Sequence, residues 1–147
     1  MKQLLLILLT ISSFANAFEF EGTWILDKEN TTSFNDEHTI QTKLAKTLFA
    51  CSNGQLIVKK DKLRQKSKSH QCAYKEKITK IDGYDIEFPY KIISSDTDSI
   101  VIQAIGAENH ISHGIYHIVN DDIIWMYSGG AGFMESSHVR YYYKRVK

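Results

Sequence analysis

An arginine and a tyrosine two positions apart near the C-terminus are the first residues whose chemistry indicates binding. On a β-strand Arg140 and Tyr142 lie on one face, because side chains alternate along a strand. A guanidinium donates two parallel hydrogen bonds to a carboxylate, and the phenol adds a third. The pair therefore predicts a contact for a ligand carboxylate. The alternative is that Arg140 is solvated, with Val139, Tyr141 and Tyr143 pointing inward.

Three histidines follow an H-x2-H-x3-H pattern that invites comparison with metal sites. His113 and His117 share a face if the segment is a strand, but they are then about 13 Å apart, too far to bind one ion together. His110 is offset from both. We therefore predict no metal site, and we expect His117, between Ile115 and Val119, to be a hydrogen-bonded core histidine.

The acidic clusters do not form a catalytic pattern. Asp82, the Asp96–Asp98 pair and the Asp121–Asp122 pair all fall at predicted turns, where aspartate bonds the local backbone. The segment 128–132, Ser-Gly-Gly-Ala-Gly, lacks the Gly-x-Ser-x-Gly order of a hydrolase nucleophile. With no recognisable set of nucleophile, base and metal ligands, the sequence predicts a non-catalytic protein without a cofactor.

The chain has two cysteines, Cys51 and Cys72. In an oxidising compartment an isolated pair is best interpreted as a disulfide, since no histidine pair at ligand spacing accompanies it. Closing a loop of about 20 residues stabilises a fold by roughly 3 kcal/mol on the chain-entropy model.

The N-terminal sequence predicts export to such an oxidising compartment. Lys2 precedes an apolar run from Leu4 to Ile11, and Ala15-Asn16-Ala17 has the small-x-small form of a cleavage site. The run is shorter than the about 20 apolar residues that span a bilayer. We predict a signal peptide at 1–17, a single domain at 18–147, and a periplasmic or secreted location.

Charge is distributed in blocks along the chain. Residues 59–80 carry nine Lys or Arg against two acids, whereas residues 82–135 carry one Lys against nine acids. The basic run predicts at most peripheral contact with an anionic membrane or an acidic protein, and its alternative is a solubilising edge strand. We do not expect nucleic-acid binding, because Tyr74 is the only aromatic residue in the basic run on which a base could stack. The cations concerned are Lys59, Lys60, Lys62, Arg64, Lys66 and Lys68.

Hydrophobic alternation predicts a mostly β domain, an antiparallel meander barrel of about eight strands with one early α-helix. The strongest strand runs from Tyr84 to Ile92, after an Asp82-Gly83 hairpin turn, and Pro89 within it predicts an edge or a bulge. A helix is expected from Asn35 or Asp36 to about Ala50. Its apolar stripe is Ile40, Leu44, Leu48 and Phe49. The remaining strands are expected at 18–27, 56–68, 73–81, 100–105, 111–119, 123–127 and 137–146.

Both ends of the domain are similar to those of the lipocalins and fatty-acid-binding proteins, the calycin barrels. Gly22-Thr23-Trp24 resembles the Gly-x-Trp motif of their first strand, and the segment from Val139 to Val146 resembles their last strand. The resemblance implies that Trp24 closes one end of the core, with Arg140 or Arg145 covering its ring. It also implies a ligand site formed by Arg140, Tyr142 and Trp24.

These observations lead to a non-catalytic exported barrel that binds a small hydrophobic or amphipathic ligand. The second hypothesis is an inhibitor or immunity-type protein that blocks a partner. Its contact surface would comprise the charge blocks and the 128–132 loop.

Overall fold

The computed structural model describes residues 18–39, 50–74, 77–127 and 138–147 of the 147-residue chain. The predicted signal peptide, the helical stripe at 40–49 and the glycine-rich loop at 128–132 lie outside the described residues. The described part contains the α-helix α1 (Lys28–His38), a 3-10 helix at Ala107–Asn109 and ten strands, and Ala50 and Cys51 are also helical. The strands are β1 (Gly22–Leu26), β2 (Gln55–Val58), β3 (Lys62–Ser67), β4 (His70–Tyr74), β5 (Lys77–Ile81), β6 (Tyr84–Ser95), β7 (Ser99–Ile105), β8 (Ile111–Asn120), β9 (Ile123–Tyr127) and β10 (Arg140–Arg145).

Eight of the strands close into an antiparallel barrel in the order β1-β10-β9-β8-β7-β6-β3-β2, with β1 paired to both β10 and β2. The predicted fold class, a mostly β meander barrel of eight strands with one early helix, is confirmed. Strands β4 and β5 form a separate two-stranded sheet. Closure leaves no long free sheet edge, which is the usual solution for a small antiparallel domain.

One end of the barrel interior is filled with apolar side chains. Residues alternate between the inside and the outside along each strand; on β7, for example, Ile100, Ile102 and Ala104 are buried. Burial of this cluster provides the main stabilisation of the fold. Its fully buried members are Phe20, Trp24, Leu56, Val58, Leu63, Tyr90, Ile100, Ile102, Ala104, Tyr116 and Ile124.

The helix begins earlier than the sequence predicts. Asp27 is the N-cap, accepting from the backbone N–H of Asn30 at 3.2 Å, and the helix continues to His38. The prediction of Asn35 or Asp36 as the cap is therefore wrong. Asn35 lies in the last part of α1 and is fully buried against the barrel. No helix in the part of the chain that the structure describes is long and apolar enough to cross a membrane.

Two segments predicted as single strands are hairpins. Residues 56–68 divide into β2 and β3 around a turn in which the backbone N–H of Lys59 donates to Lys62 O at 2.9 Å. Residues 73–81 fall within the β4–β5 hairpin. In both segments the residues between the apolar positions are charged. The sequence therefore does not indicate that the chain reverses direction there.

The Asp82-Gly83 step is not a hairpin turn, because β5 and β6 belong to different sheets. A side chain at Gly83 would lie 2.5 Å from Ser69 N and 2.6 Å from Ser67 O. The glycine is thus required by a close approach of two backbone segments.

Pro89 lies where β6 changes its partner. It is opposite Lys62 at the end of the ladder with β3, and Tyr90, opposite Ala104, belongs to the ladder with β7. A residue without an N–H is tolerated at such a position because pairing on one side ends there.

The opposed charge blocks lie side by side in the barrel. Arg64 on β3 binds Asp85 on β6 through two hydrogen bonds of 2.5 Å, and Lys62 pairs with Glu87 at 3.2 Å. Arg64 lowers the pKa of Asp85 through this hydrogen bond. Part of the basic run is therefore neutralised within the sheet.

Candidate functional site

Trp24 closes the packed end of the barrel. Its ring is 0% exposed, and its Nε1–H donates to Phe20 O at 3.1 Å. The guanidinium of Arg145, directly opposite on β10, lies 4.3 Å from the ring centroid. Of the two predicted arginines, Arg145 is the one that covers this ring. Trp24 is part of the core and lines neither of the cavities described below.

Arg145 seals this end by binding backbone carbonyl groups. It donates to Glu19 O, to Glu21 O at 2.7 Å and to Asp121 O at 3.1 Å. Gly22 has a positive φ of 140°, and a Cβ there would lie 2.8 Å from Nη1 of Arg145. The Gly-x-Trp spacing thus provides space for the guanidinium as well as the indole ring.

Arg140 and Tyr142 share a face, as predicted, but it is the outer face of the barrel. The guanidinium of Arg140 lies between the rings of Phe34, at 4.1 Å, and Trp125, at 3.9 Å. Tyr142 lies 5.9 Å from Phe34 between ring centroids. The two side chains help to hold α1 on the barrel, and neither lines the cavities. Tyr141 and Tyr143 face inward, as in the alternative interpretation.

The opposite end of the barrel contains a cavity of about 370 Å³. This volume falls within the range of small-molecule sites, roughly 300–1,000 Å³. One part of its wall is aromatic and aliphatic, formed by Leu26, Ile81, Tyr84, Tyr141 and Tyr143. The other part is polar, formed by Ser52, Asn53, Ser67, His70 and Asp82. A wall of this composition suits a ligand with one apolar part and one hydrogen-bonding part.

A second cavity of about 130 Å³ adjoins the first. Tyr84, Tyr141 and Tyr143 line both, and the second is additionally bounded by Tyr116 and Met126. The two neighbouring cavities are together called the tyrosine recess.

Five tyrosines, Tyr84, Tyr116, Tyr127, Tyr141 and Tyr143, line this recess from four strands. Burial, followed by the neighbouring phenol groups of Tyr116, Tyr84 and Tyr141, raises the pKa of Tyr143 far above its usual value. Burial likewise raises the pKa of Tyr116. The hydroxyl groups of Tyr116 and Tyr143 are therefore neutral at physiological pH, so each can both donate and accept a hydrogen bond.

The recess has little charge. Among the described residues that line the two cavities, none is Lys or Arg, and Asp82 is the one carboxylate. Asp82 lies at the exposed rim and pairs with Lys80 at 3.4 Å. Among the described lining residues, a ligand carboxylate placed deep in the recess would meet no lysine or arginine.

A hydrogen-bonded cluster supports the polar wall. Nε2 of His70 donates to Cys51 O at 2.5 Å, and Nδ1 of His70 lies 2.9 Å from Lys68 O and 3.1 Å from Nδ2 of Asn53. The hydroxyl of Ser67 bonds Oδ1 of Asn53. Cys51 and Cys72 form the predicted disulfide beside this cluster, with a Cα–Cα distance of 5.7 Å.

The three histidines do not form one cluster, and each has a different environment. His113 bonds the amide of Gln103 at 3.2 Å, and His110 is exposed. His117 is not a core residue: it stacks on Trp125 on the outer face, with ring centroids 3.9 Å apart. Among the described residues no group of three potential ligands converges on a metal position.

The stability of the protein is expected to depend on His117 below neutral pH. Burial, with a smaller contribution from the charge of Arg140, lowers the pKa of His117. The unfolded chain, in which histidine titrates near about 6.5, therefore takes up this proton at higher pH than the native state. Stability should fall as the pH decreases from about 7 to 5, and His117→Gln should reduce the slope. Urea unfolding at several pH values measures this effect.

The exposed His110 provides the control for that experiment. His110→Gln should leave the wild-type slope unchanged. Equal slopes in His117→Gln and the wild type would contradict the burial of the imidazole in the stack.

Comparison with family models and with curated proteins finds no match to this chain.

The tyrosine recess and the His70 cluster were not identified from the sequence. The available signal was the alternation in β10, which assigns Tyr141 and Tyr143 to one face. The positions of Tyr84 and His70 beside that face depend on barrel closure and on the β4–β5 hairpin.

Proposed function

We propose that the protein is an exported, non-catalytic barrel that binds a small amphipathic ligand in the tyrosine recess at its open end. The observation that carries the proposal is the 370 Å³ cavity, whose lining combines apolar and hydrogen-bonding side chains. The opposite end is filled by Trp24 and sealed by Arg145. The N-terminal export signal and the disulfide support a periplasmic or secreted location.

The charge of the lining narrows the class of ligand. Burying a carboxylate without a cationic partner is costly, whereas a hydroxyl or amide can be satisfied by the phenols and by Ser67 or Asn53. We therefore assign to the recess a ligand whose buried polar group is uncharged. This differs from the carboxylate ligand expected for Arg140 and Tyr142.

A set of matched probes tests the proposal. A medium-chain primary alcohol should bind saturably, and at least about ten times more tightly than the carboxylate of equal chain length, because only the carboxylate loses its hydration without compensation. Isothermal titration calorimetry measures both affinities. Absence of saturable binding by either probe would contradict the proposal.

Two neighbouring tyrosines on opposite faces of β10 locate the site. Tyr141→Leu removes an inward phenol and should weaken alcohol binding about ten-fold, the effect of losing one hydrogen bond. Tyr142→Leu changes the outer face and should leave the affinity unchanged. The reverse result would place the site at Arg140 and Tyr142.

A protein-binding barrel is the second candidate, and one outer face favours it. Ile105 and Ile111 lie opposite one another on β7 and β8 and are 42% and 55% exposed; Ile115 and Val119 extend the same face of β8. Exposed apolar strips of this kind are typical of contact surfaces. This candidate would take precedence if neither probe binds.

A further inference from the structure

The β4–β5 hairpin is an excursion from a barrel that closes without it. Strands β3 and β6 pair directly, and the hairpin leaves the barrel after Ser67 and returns at Tyr84. At its base the backbone at Gly83 approaches Ser67 and Ser69 so closely that a Cβ would collide with both. Within the described residues, β4 and β5 pair only with each other.

This hairpin nevertheless forms part of the recess wall. His70 from β4, Ile81 from β5 and Asp82 after it line the same cavity as Tyr84 and Tyr141. Displacement of the hairpin would remove that wall and leave the closed barrel in place. The size of the cavity therefore depends on what holds the hairpin against the barrel.

Among the described residues, the side-chain contacts that join β4 to the rest of the protein converge on residues 51–53. The Cys51–Cys72 disulfide joins this segment to β4 covalently. His70 donates to Cys51 O at 2.5 Å, and Asn53 binds both Nδ1 of His70 at 3.1 Å and Lys68 O at 3.3 Å. The disulfide is the single covalent bond in this group, and the hydrogen bonds lie at the exposed or partly buried mouth, where each contributes little by itself.

We infer that the β4–β5 hairpin is a movable wall of the ligand site, latched by the Cys51–Cys72 disulfide, and that reduction of this bond by a dithiol opens the recess without unfolding the barrel. The inference rests on the proposed function, because it concerns the control of the same cavity. Neither cysteine lies on a barrel strand, so cleavage of the bond interrupts no pair in the eight-stranded ladder.

The chemistry is thiol–disulfide exchange with a dithiol reductant. Cys51 is 7% exposed, whereas Cys72 is half-buried, so a reductant thiolate reaches Sγ of Cys72. A mixed disulfide forms there, and Cys51 leaves as a thiolate that takes up a proton. The second thiol of the reductant then attacks the mixed disulfide and releases Cys72. The reductant is oxidised to its disulfide, and two cysteine thiols are produced.

Hydrogen exchange tests the latch without a ligand. In the reduced protein, and in the Cys51→Ser/Cys72→Ser variant, amides of β4 and β5 should exchange at least about ten times faster than in the oxidised wild type. Amides of β8 and β9 should be unchanged. His70→Phe, which retains a ring but not the two hydrogen bonds, should give an intermediate acceleration in the hairpin, and His110→Phe none.

Ligand dissociation tests the consequence for the site. Stopped-flow release of the medium-chain alcohol should be at least about ten-fold faster after reduction. Unchanged hairpin exchange on reduction, or equal acceleration in the hairpin and in β8 and β9, would overturn the inference. If the oxidised protein binds no alcohol, the proposed function fails, while the exchange data still decide whether the hairpin is latched.

Discussion

Replacing Trp24 by alanine is expected to lower the free energy of unfolding by about 4 kcal/mol, at the upper range for large-to-small core changes. The indole is 0% exposed, it donates to Phe20 O, and it carries the guanidinium of Arg145 on its face. Truncation removes this apolar contact area, leaves Phe20 O without the indole donor, and removes the ring that the guanidinium of Arg145 covers. Urea denaturation monitored by circular dichroism measures the loss.

Trp125, the only other tryptophan, is the matched control. It lies on the outer face between His117 and Arg140 and is only partly buried. Trp125→Ala should cost less than half as much as Trp24→Ala. Equal costs, or a loss below about 1 kcal/mol for Trp24→Ala, would contradict the assignment of Trp24 to the closed end.

Replacing Asn35 by alanine is expected to cost about 3 kcal/mol, because the fully buried amide is removed and two partly buried backbone groups of β10 lose their partner. The side-chain amide of Asn35 donates to Arg140 O at 2.7 Å and accepts from Arg140 N at 2.9 Å. It thereby binds β10 as a neighbouring strand would. The same amide donates to Thr31 O at 2.7 Å within the helix. Chemical denaturation again provides the measurement.

Two variants separate the loss of these hydrogen bonds from a change in helix propensity. Thr32→Ala changes an exposed position of the same helix and should be nearly neutral. Asn35→Asp retains an acceptor for Arg140 N but places a carboxylate against Arg140 O, so it should be as damaging as alanine. A neutral Asn35→Asp would show that the amide donor is unimportant.

The barrel could be predicted because its strands alternate between apolar and polar residues. The strand from Tyr84 and the Asn120–Asp122 hairpin follow local rules that the closed sheet preserves. The N-cap was predicted at the wrong residue because Asn35 resembles a capping residue in sequence. Its side chain in fact satisfies β10, a contact between residues 105 positions apart. No local pattern encodes that pairing.

The candidate site was harder to predict for a related reason. Tyr141, Tyr142 and Tyr143 are consecutive, so residue type does not distinguish the inner face of β10 from the outer one. The charge of Arg140 indicates a contact for a ligand carboxylate, yet Phe34 and Trp125 enclose its guanidinium. The decisive residues come from distant segments, including His70 on a hairpin outside the barrel. Their proximity depends on closure of the barrel and on the disulfide.

The barrel thus has two different ends. The one at Trp24 is packed and sealed by a cation, and the other is lined by neutral phenols and walled by a disulfide-linked hairpin. Stability is concentrated at the first end, and open volume at the second. That division supports the proposed binding role, since a site can vary at one end while the fold is maintained at the other.

Native mass spectrometry of the mature chain, exported in its own host and purified without detergent, tests the binding role most directly. The account predicts a bound mass of a few hundred daltons that is released on denaturation. This mass should be lost in a Tyr84→Leu/Tyr141→Leu variant and retained in Tyr142→Leu. A bare wild-type chain that stays bare after incubation with the medium-chain alcohol, or a mass retained equally by both variants, would contradict a ligand site in the tyrosine recess.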